Sequence, residues 1–135
     1  MKTFNLPKYA YSNITGAIIK FLGENDGIII SSRNNALKPG TRRNDFHNYY
    51  DERYWIHLPY DEVNRLYHGQ VVIFIDELAT LYKGFFNYYT KKIYNPILED
   101  EIEPLNGYKI EPVLEASLTD KVLKDQEKFI KSFWF

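Results

Sequence analysis

The sequence predicts a small α+β fold built on an antiparallel, partly barrel-like sheet. Three observations favour this class. Two β-branched runs flank a turn of Gly, Asn and Asp near the N-terminus, a third apolar run lies in mid-chain, and the C-terminal segment has the period of an amphipathic helix. At 135 residues the chain has the usual length of one domain, and we expect a single domain over residues 1–135.

The segment ITGAIIKFLGENDGIIISS, residues 14–32, predicts an N-terminal β-hairpin. Its two apolar runs are separated by Gly23–Gly27, which supplies the glycines and the Asn and Asp that a tight reversal needs. In the first run Ala17, Ile19 and Phe21 form one apolar face, and the other face, with Ile18, Lys20 and Leu22, is nearly apolar. We therefore expect the hairpin to be covered on both sides.

Three elements are predicted in the middle of the chain. YWIHL, residues 54–58, alternates as a strand does. PYDEVNRLYHGQ, residues 59–70, predicts a short helix between strands, with Asp61 and Glu62 near its N-terminus and Gly69 at its end. VVIFID, residues 71–76, is apolar up to Asp76 and predicts a central strand.

The region 77–95 supports two interpretations. Its apolar residues fit a helical stripe that Asp76 caps and Pro96 ends, and this helix is favoured although Gly84 would lie inside it. The alternative is a second hairpin that turns at Lys83–Gly84, because FFNYYT has strong strand preference.

The C-terminal part contains a loop and then a helix. LEDEIEPLNGYKIEP, residues 98–112, predicts a loop around one short strand near 108–110. SLTDKVLKDQEKFIKSFWF, residues 117–135, predicts an amphipathic helix with caps at Ser117 or Thr119 and i,i+4 ion pairs from Asp120 and Glu127. Its aromatic end, FWF, either clamps onto the core or makes this helix the seam of a homo-oligomer.

Composition excludes several classes of protein. The chain has no Cys, so it has no disulfide, no thiolate metal site and no Cys nucleophile. No apolar stretch is long enough to cross a membrane, and we expect a cytoplasmic protein with no membrane contact. Aromatic residues make up 17% of the chain, which serves either a β-rich core or a partner surface. No motif calls for a cofactor, and none is predicted.

A basic segment, SSRNNALKPGTRRND at residues 31–45, is the first candidate site. Arginine forks bind phosphate or carboxylate in a bidentate manner, and the aromatic residues that follow can stack a base. The candidate anion-binding residues are Arg33, Asn34, Lys38, Arg42, Arg43, Tyr49 and Trp55. The alternative is a solvated loop whose charges keep the protein in solution.

An acidic segment lies farther along the chain, so the formal net charge of -1 conceals two opposed patches. Such a patch can steer a protein partner with a basic surface. The candidate partner-binding residues are Glu99, Asp100, Glu101, Glu103, Tyr108 and Glu111. They lack the spacing of a calcium loop, and no metal site is predicted.

Signs of catalysis are weak, because no nucleophile elbow, phosphate-binding loop or dinucleotide fingerprint is present. Our leading hypothesis is a non-enzymatic protein that inhibits or neutralises a macromolecular partner, as an immunity protein or a phage-encoded inhibitor of a host enzyme does. A second hypothesis is a nucleotide or nucleic-acid binding module that uses the basic segment. A third is a metal-independent ribonuclease, with His47 or His57 as base, Arg43 or Arg53 stabilising charge and Tyr49 or Tyr54 donating a proton.

Overall fold

The computed structural model describes residues 8–32, 37–75, 80–103, 110–113 and 119–132. Within these residues the chain forms antiparallel sheets and one helix, which confirms the predicted α+β class. The chain divides into two compact units, an N-terminal unit, Met1–Tyr60, and a C-terminal unit, Asp61–Phe135. The single-domain organisation and the partly barrel-like closure of the sheet stay predictions.

The N-terminal unit contains a five-stranded antiparallel sheet in the order β4-β3-β2-β1-β5. Its strands are β1 (Lys8–Ser12), β2 (Ile18–Phe21), β3 (Gly27–Ser31), β4 (Arg42–Arg43) and β5 (Trp55–Leu58). The predicted hairpin is confirmed, with β2 and β3 joined by a turn in which the Leu22 amide donates to the Asp26 carbonyl at 2.7 Å. The strand predicted at 54–58 is also confirmed, as β5.

Aromatic rings fill the core of the N-terminal unit. Phe21 is fully buried, and the rings of Phe46, Tyr49 and Trp55 meet it edge-on at centroid distances of 6.0, 5.2 and 5.0 Å. Ile18 and Ile19, on opposite faces of β2, are also buried, so both faces of the hairpin are covered as predicted.

The C-terminal unit contains a second five-stranded antiparallel sheet, in the order β11-β10-β9-β8-β12. Its strands are β8 (Val71–Ile75), β9 (Leu81–Phe86), β10 (Ile93–Asn95), β11 (Asp100–Ile102) and β12 (Glu111–Pro112). The strand predicted at 71–76 is confirmed as β8, next to the edge strand β12. Of the strand predicted near 108–110, Ile110 lies just before β12, and residues 108 and 109 lie outside the described residues.

The short helix predicted at 59–70 is wrong. This segment forms a two-stranded sheet of β6 (Tyr60–Asp61) and β7 (Leu66–Tyr67). The Asp61 carboxylate accepts from the backbone amides of Val63 and Asn64 at 2.9 and 3.0 Å, and Arg65 has a left-handed φ of 57°. An Asp side chain that bonds to the amides just after it favours a turn over a helix.

The helix favoured for 77–95 is also wrong in the residues that the structure describes, since β9 and β10 occupy them. The alternative was right about strands but wrong about the turn, which lies at residues 87–92. Gly84 lies inside β9, where a Cβ would come within 2.6 Å of the Ile93 side chain and of the Tyr94 carbonyl. The glycine therefore permits a close approach of two strands.

The C-terminal helix is confirmed as α1 (Asp120–Lys131), with Thr119 as its N-cap. Both predicted pairs form, with Lys124 at 3.2 Å from Asp120 and Lys131 at 2.9 Å from Glu127. The aromatic end at 133–135 lies outside the described residues. Among the helices of the described chain, none has the length and apolar character needed to span a membrane.

Candidate partner-binding groove

A groove of about 420 Å³ lies in the C-terminal unit between α1 and the segment that joins β10 to β11. We call it the acidic groove. Its charged lining residues are Glu99, Asp100, Glu101, Asp125 and Lys128. Among the described residues, four carboxylates against one ammonium group give the groove a negative character.

One wall of the acidic groove is fixed by a turn at the end of β10. The Asn95 side-chain oxygen accepts from the backbone amides of Ile97 and Leu98, both at 2.9 Å. Glu99 then adopts a left-handed φ of 52°, after which the chain enters β11. The turn leaves Ile97 and Leu98 at the surface, 86% and 58% exposed, beside the carboxylates.

The other wall comes from α1. Phe129 is buried with its ring stacked on Phe85 at 5.6 Å and on Tyr94 at 5.4 Å, which attaches the helix to β9 and β10. Asp125 and Lys128 come from the same helix and face the groove. The floor is therefore aromatic and well packed, while the walls are charged.

The carboxylates of the groove differ in what they contact. Glu101 accepts from the side-chain amide of buried Asn87 at 2.6 Å, which is a structural contact. In the part of the chain that the structure describes, Glu99, Asp100 and Asp125 have no ion-pair partner within 4.0 Å. Their charge is thus available to an incoming cation.

The structure brings together only part of the predicted acidic site. Glu99, Asp100 and Glu101 line the groove, and Glu103 is exposed just beyond β11. Glu111 lies in β12, at the opposite edge of the sheet, and Tyr108 lies outside the described residues. Sequence reasoning missed the α1 residues Asp125 and Lys128. Their i,i+3 spacing on the polar side of a predicted helix indicated a shared face, but not what that face would meet.

The two arginines of the basic segment that the structure describes, Arg42 and Arg43, are each paired with an aspartate. Arg42 donates to both oxygens of Asp26 at 3.2 and 2.7 Å, and Arg43 to both oxygens of Asp45 at 2.9 and 2.6 Å. These guanidinium bonds lower the pKa of each carboxyl and raise the pKa of each arginine. Lys38 is exposed. Arg33 and Asn34, also predicted to bind an anion, lie outside the described residues.

The two aromatic members of the predicted anion site are part of the core. Tyr49 is only 7% exposed and Trp55 only 6%. Burial raises the pKa of Tyr49 to about 12, and the Trp55 indole donates to the His47 carbonyl at 3.1 Å. Tyr49 therefore offers no open face for a base, and the part of Trp55 that is not covered lies in the wall of a small pocket.

The histidines of the nuclease hypothesis are also engaged in local contacts. His57 Nε2 lies 2.6 Å from the Tyr49 carbonyl, which only accepts, so this nitrogen carries the proton. The His47 ring stacks on Tyr54 at 3.7 Å. The third histidine, His68, is not part of that hypothesis. It is buried, which lowers its pKa to about 4, and its Nδ1 accepts from the Tyr88 amide at 3.1 Å. Among the described residues, no group of three or more His, Asp or Glu is arranged to hold a metal ion.

Comparison with known proteins adds no relative: no family model, no curated protein and no solved structure matches this chain.

Proposed function

We propose that this chain is a non-enzymatic binding protein that inhibits or neutralises a protein partner with a basic surface, in the manner of an immunity protein or a phage-encoded inhibitor of a host enzyme. The observation that carries the proposal is the acidic groove, where carboxylates without ion-pair partners among the described residues surround an aromatic floor. The proposal includes a cytoplasmic location, where such a partner would be met, and leaves α1 as a possible seam between copies.

Charge and apolar surface have separate roles in this proposal. Carboxylates that lack internal partners raise the rate of encounter with a cationic surface and orient it, whereas they add less to final affinity. Affinity requires a desolvated apolar anchor. Ile97 and Leu98, exposed in the turn that directly precedes Glu99, are the candidates for that anchor.

The test is capture of a partner from lysate by three forms of the tagged chain, with nuclease present. The groove variant carries Glu99→Lys, Asp100→Lys and Asp125→Lys. Its matched control carries Glu24→Lys, Glu52→Lys and Glu62→Lys, which changes net charge equally at exposed positions elsewhere. Glu101 is left intact because it holds Asn87.

We expect a stoichiometric protein partner with the wild-type chain and the control, and its loss with the groove variant. Loss with both variants would mean that net charge alone matters, and retention by both would remove the groove from the interface. In a parallel capture without nuclease, recovery of nucleic acid and no protein would support the basic segment instead, although Arg42 and Arg43 would first have to leave Asp26 and Asp45.

A further inference from the structure

A second pocket, in the N-terminal unit, has a volume of about 180 Å³. Its walls are apolar and come from Ala17, Ile19, Leu37, Phe46 and Trp55. An apolar cavity of about 150 Å³ is known to hold one benzene molecule and to stay dry when empty. This volume therefore suits a single aromatic ring.

The walls of this pocket are held in place before any ligand arrives. The Trp55 indole is tied to the His47 carbonyl at 3.1 Å, and the Trp55 ring meets Phe46 edge-on at 6.3 Å and 77°. Ala17 is buried beside them, and its small side chain leaves the space that a larger residue would fill. Preformed walls lower the cost of ordering on binding.

The mouth of the pocket is polar, and among the described residues its Arg43 and Asp45 side chains carry opposite charges. Arg43 and Asp45 lie there as a closed bidentate pair, and His47 is stacked on Tyr54. A charged ligand would have to compete with a partner that is already bound, whereas a hydroxyl or N–H group can share these polar atoms. The mouth thus favours neutral ligands.

We propose that this pocket binds a small, neutral, single-ring aromatic molecule that carries one hydroxyl or N–H group. The ring lies against Trp55 and Phe46, and the polar group points to the Arg43–Asp45 pair. This site is independent of the acidic groove and of the function proposed for it.

The first experiment titrates phenol and aniline, at neutral pH, into the full-length, ¹⁵N-labelled chain. The reporter is the indole N–H signal of Trp55, which a Trp134→Phe variant separates from the signal of the other tryptophan. We expect saturable shifts with a Kd of about 1 mM or below. Benzoate and benzylammonium, which add a charge to the same ring, should bind at least about tenfold more weakly. Absence of saturation, or equal binding of the charged rings, would overturn the proposal.

The same ring could instead be delivered by a polypeptide. A comparison of p-cresol with N-acetyltyrosinamide separates the two sources, since both carry a phenol and only the second carries a backbone. We expect the blocked amino acid to bind at least about tenfold more weakly, because the pocket holds one ring and little more. Equal or tighter binding of the blocked amino acid would contradict a small-molecule site.

Two variants locate the binding in the pocket. Ala17→Leu fills the space and should abolish phenol binding while the rest of the amide spectrum is kept. Leu37→Ala enlarges the pocket and should shift the preference from phenol towards 2-naphthol by at least about threefold, with the exposed Leu98→Ala as its control. If Ala17→Leu does not fold, Leu37→Ala decides, and an unchanged ring preference would overturn the proposal.

Discussion

The basic segment of the N-terminal unit and the acidic groove of the C-terminal unit are both runs of like charge in the sequence, but their charges have different fates. The N-terminal unit has eight basic and five acidic residues, a net charge of +3, and the C-terminal unit has nine basic and thirteen acidic residues, a net charge of −4. In the N-terminal unit, each arginine that the structure describes forms an ion pair with an aspartate. In the C-terminal unit, Glu99, Asp100 and Asp125 have no ion-pair partner among the described residues.

The difference teaches that charge available to a partner depends on local pairing rather than on composition. Arg43 and Arg53 are each two residues from the aspartate they bind, and the pairing of β4 with β3 places Arg42 beside Asp26. Bidentate guanidinium–carboxylate pairs are also the strongest of the exposed ion pairs. Among the described residues that line the acidic groove, Lys128 carries the positive charge. Its ammonium group is not in an ion pair with any described carboxylate.

Gly84→Ala should disturb the wall of the acidic groove and have the largest effect on stability. A Cβ would come within 2.6 Å of the Tyr94 carbonyl, so β10 and the groove wall that follows it must move. We expect a loss of about 3 kcal/mol in the free energy of unfolding, measured with urea, and faster hydrogen exchange in β9 and β10. The matched control is Gly40→Ala in the N-terminal unit, where a Cβ meets no atom within 4 Å and the φ of +89° alone costs about 1 kcal/mol. Equal losses in the two variants would show that the strands can separate without strain.

His68 should make the stability of the C-terminal unit depend on pH. Burial lowers its pKa to about 4 from an ordinary value of 6.5, so between these values the unfolded chain binds more protons than the folded one. The contribution of neutral His68 to the free energy of unfolding is therefore fully present above about pH 6.5. The free energy of unfolding falls by about 2 to 3 kcal/mol as the pH is lowered to about 4.

The ion pairs of the N-terminal unit should respond at lower pH. The pKa values of Asp26, Asp45 and Asp51 lie below 3.8 because of their arginine partners, so the stabilisation from these ion pairs is lost only under more acidic conditions.

The role of His68 is tested with two variants. His68→Gln, which keeps an acceptor for the Tyr88 amide, should remove the pH dependence of stability between pH 4 and 6.5, and His57→Gln should keep it. An unchanged pH profile in His68→Gln would assign the effect to another group.

Removing two carboxylates should convert the basic segment into a binding surface. In the double variant Asp26→Asn and Asp45→Asn, Arg42 and Arg43 lose their partners. We expect affinity for single-stranded DNA, measured by fluorescence anisotropy at low salt, to rise at least about tenfold, with a salt slope steeper by up to about 1.4. Adding Arg42→Ala and Arg43→Ala should return it to the wild-type level. If the wild-type chain already binds as tightly as the double variant, the ion pairs do not block anions.

The parts of the fold that were predictable are those with strong local signals. The β2–β3 hairpin has glycines and Asn and Asp between β-branched runs, and α1 has a capping Thr119 and an amphipathic pattern. Segments 59–70 and 77–95 were predicted wrongly because side-chain hydrogen bonds and strand pairing outweighed their helical periodicity. Asp61 bonds to the amides of a turn, and Gly84 permits the close approach of β10, the next strand along the chain.

The candidate site was predictable only in part for the same reason. Glu99–Glu101 could be proposed from their charge, whereas Asp125 and Lys128 join them only because Phe129 stacks on Phe85 and Tyr94 and so sets which face of α1 meets the sheet. The arginines were correctly seen as a charge cluster. Their pairing with aspartates depends on turn geometry that residue types alone do not specify.

Lys128→Gln should make the acidic groove more negative and have the smallest effect of these variants. This change removes the cation from the groove lining and leaves the carboxylates with no opposing charge there. Lys128 lies in the last turn of α1, where a cation stabilises the helix, so we expect a loss of about 0.5 kcal/mol in the free energy of unfolding. Affinity for a short oligolysine peptide should rise about two- to fivefold at low salt, and the gain should disappear at high salt because the carboxylates are exposed to solvent. Lys124→Gln, on the same helix but paired with Asp120, is the control and should change peptide affinity little. A similar gain from both variants would indicate that the peptide responds to the net charge of the unit, and that the groove has no special role in attracting it.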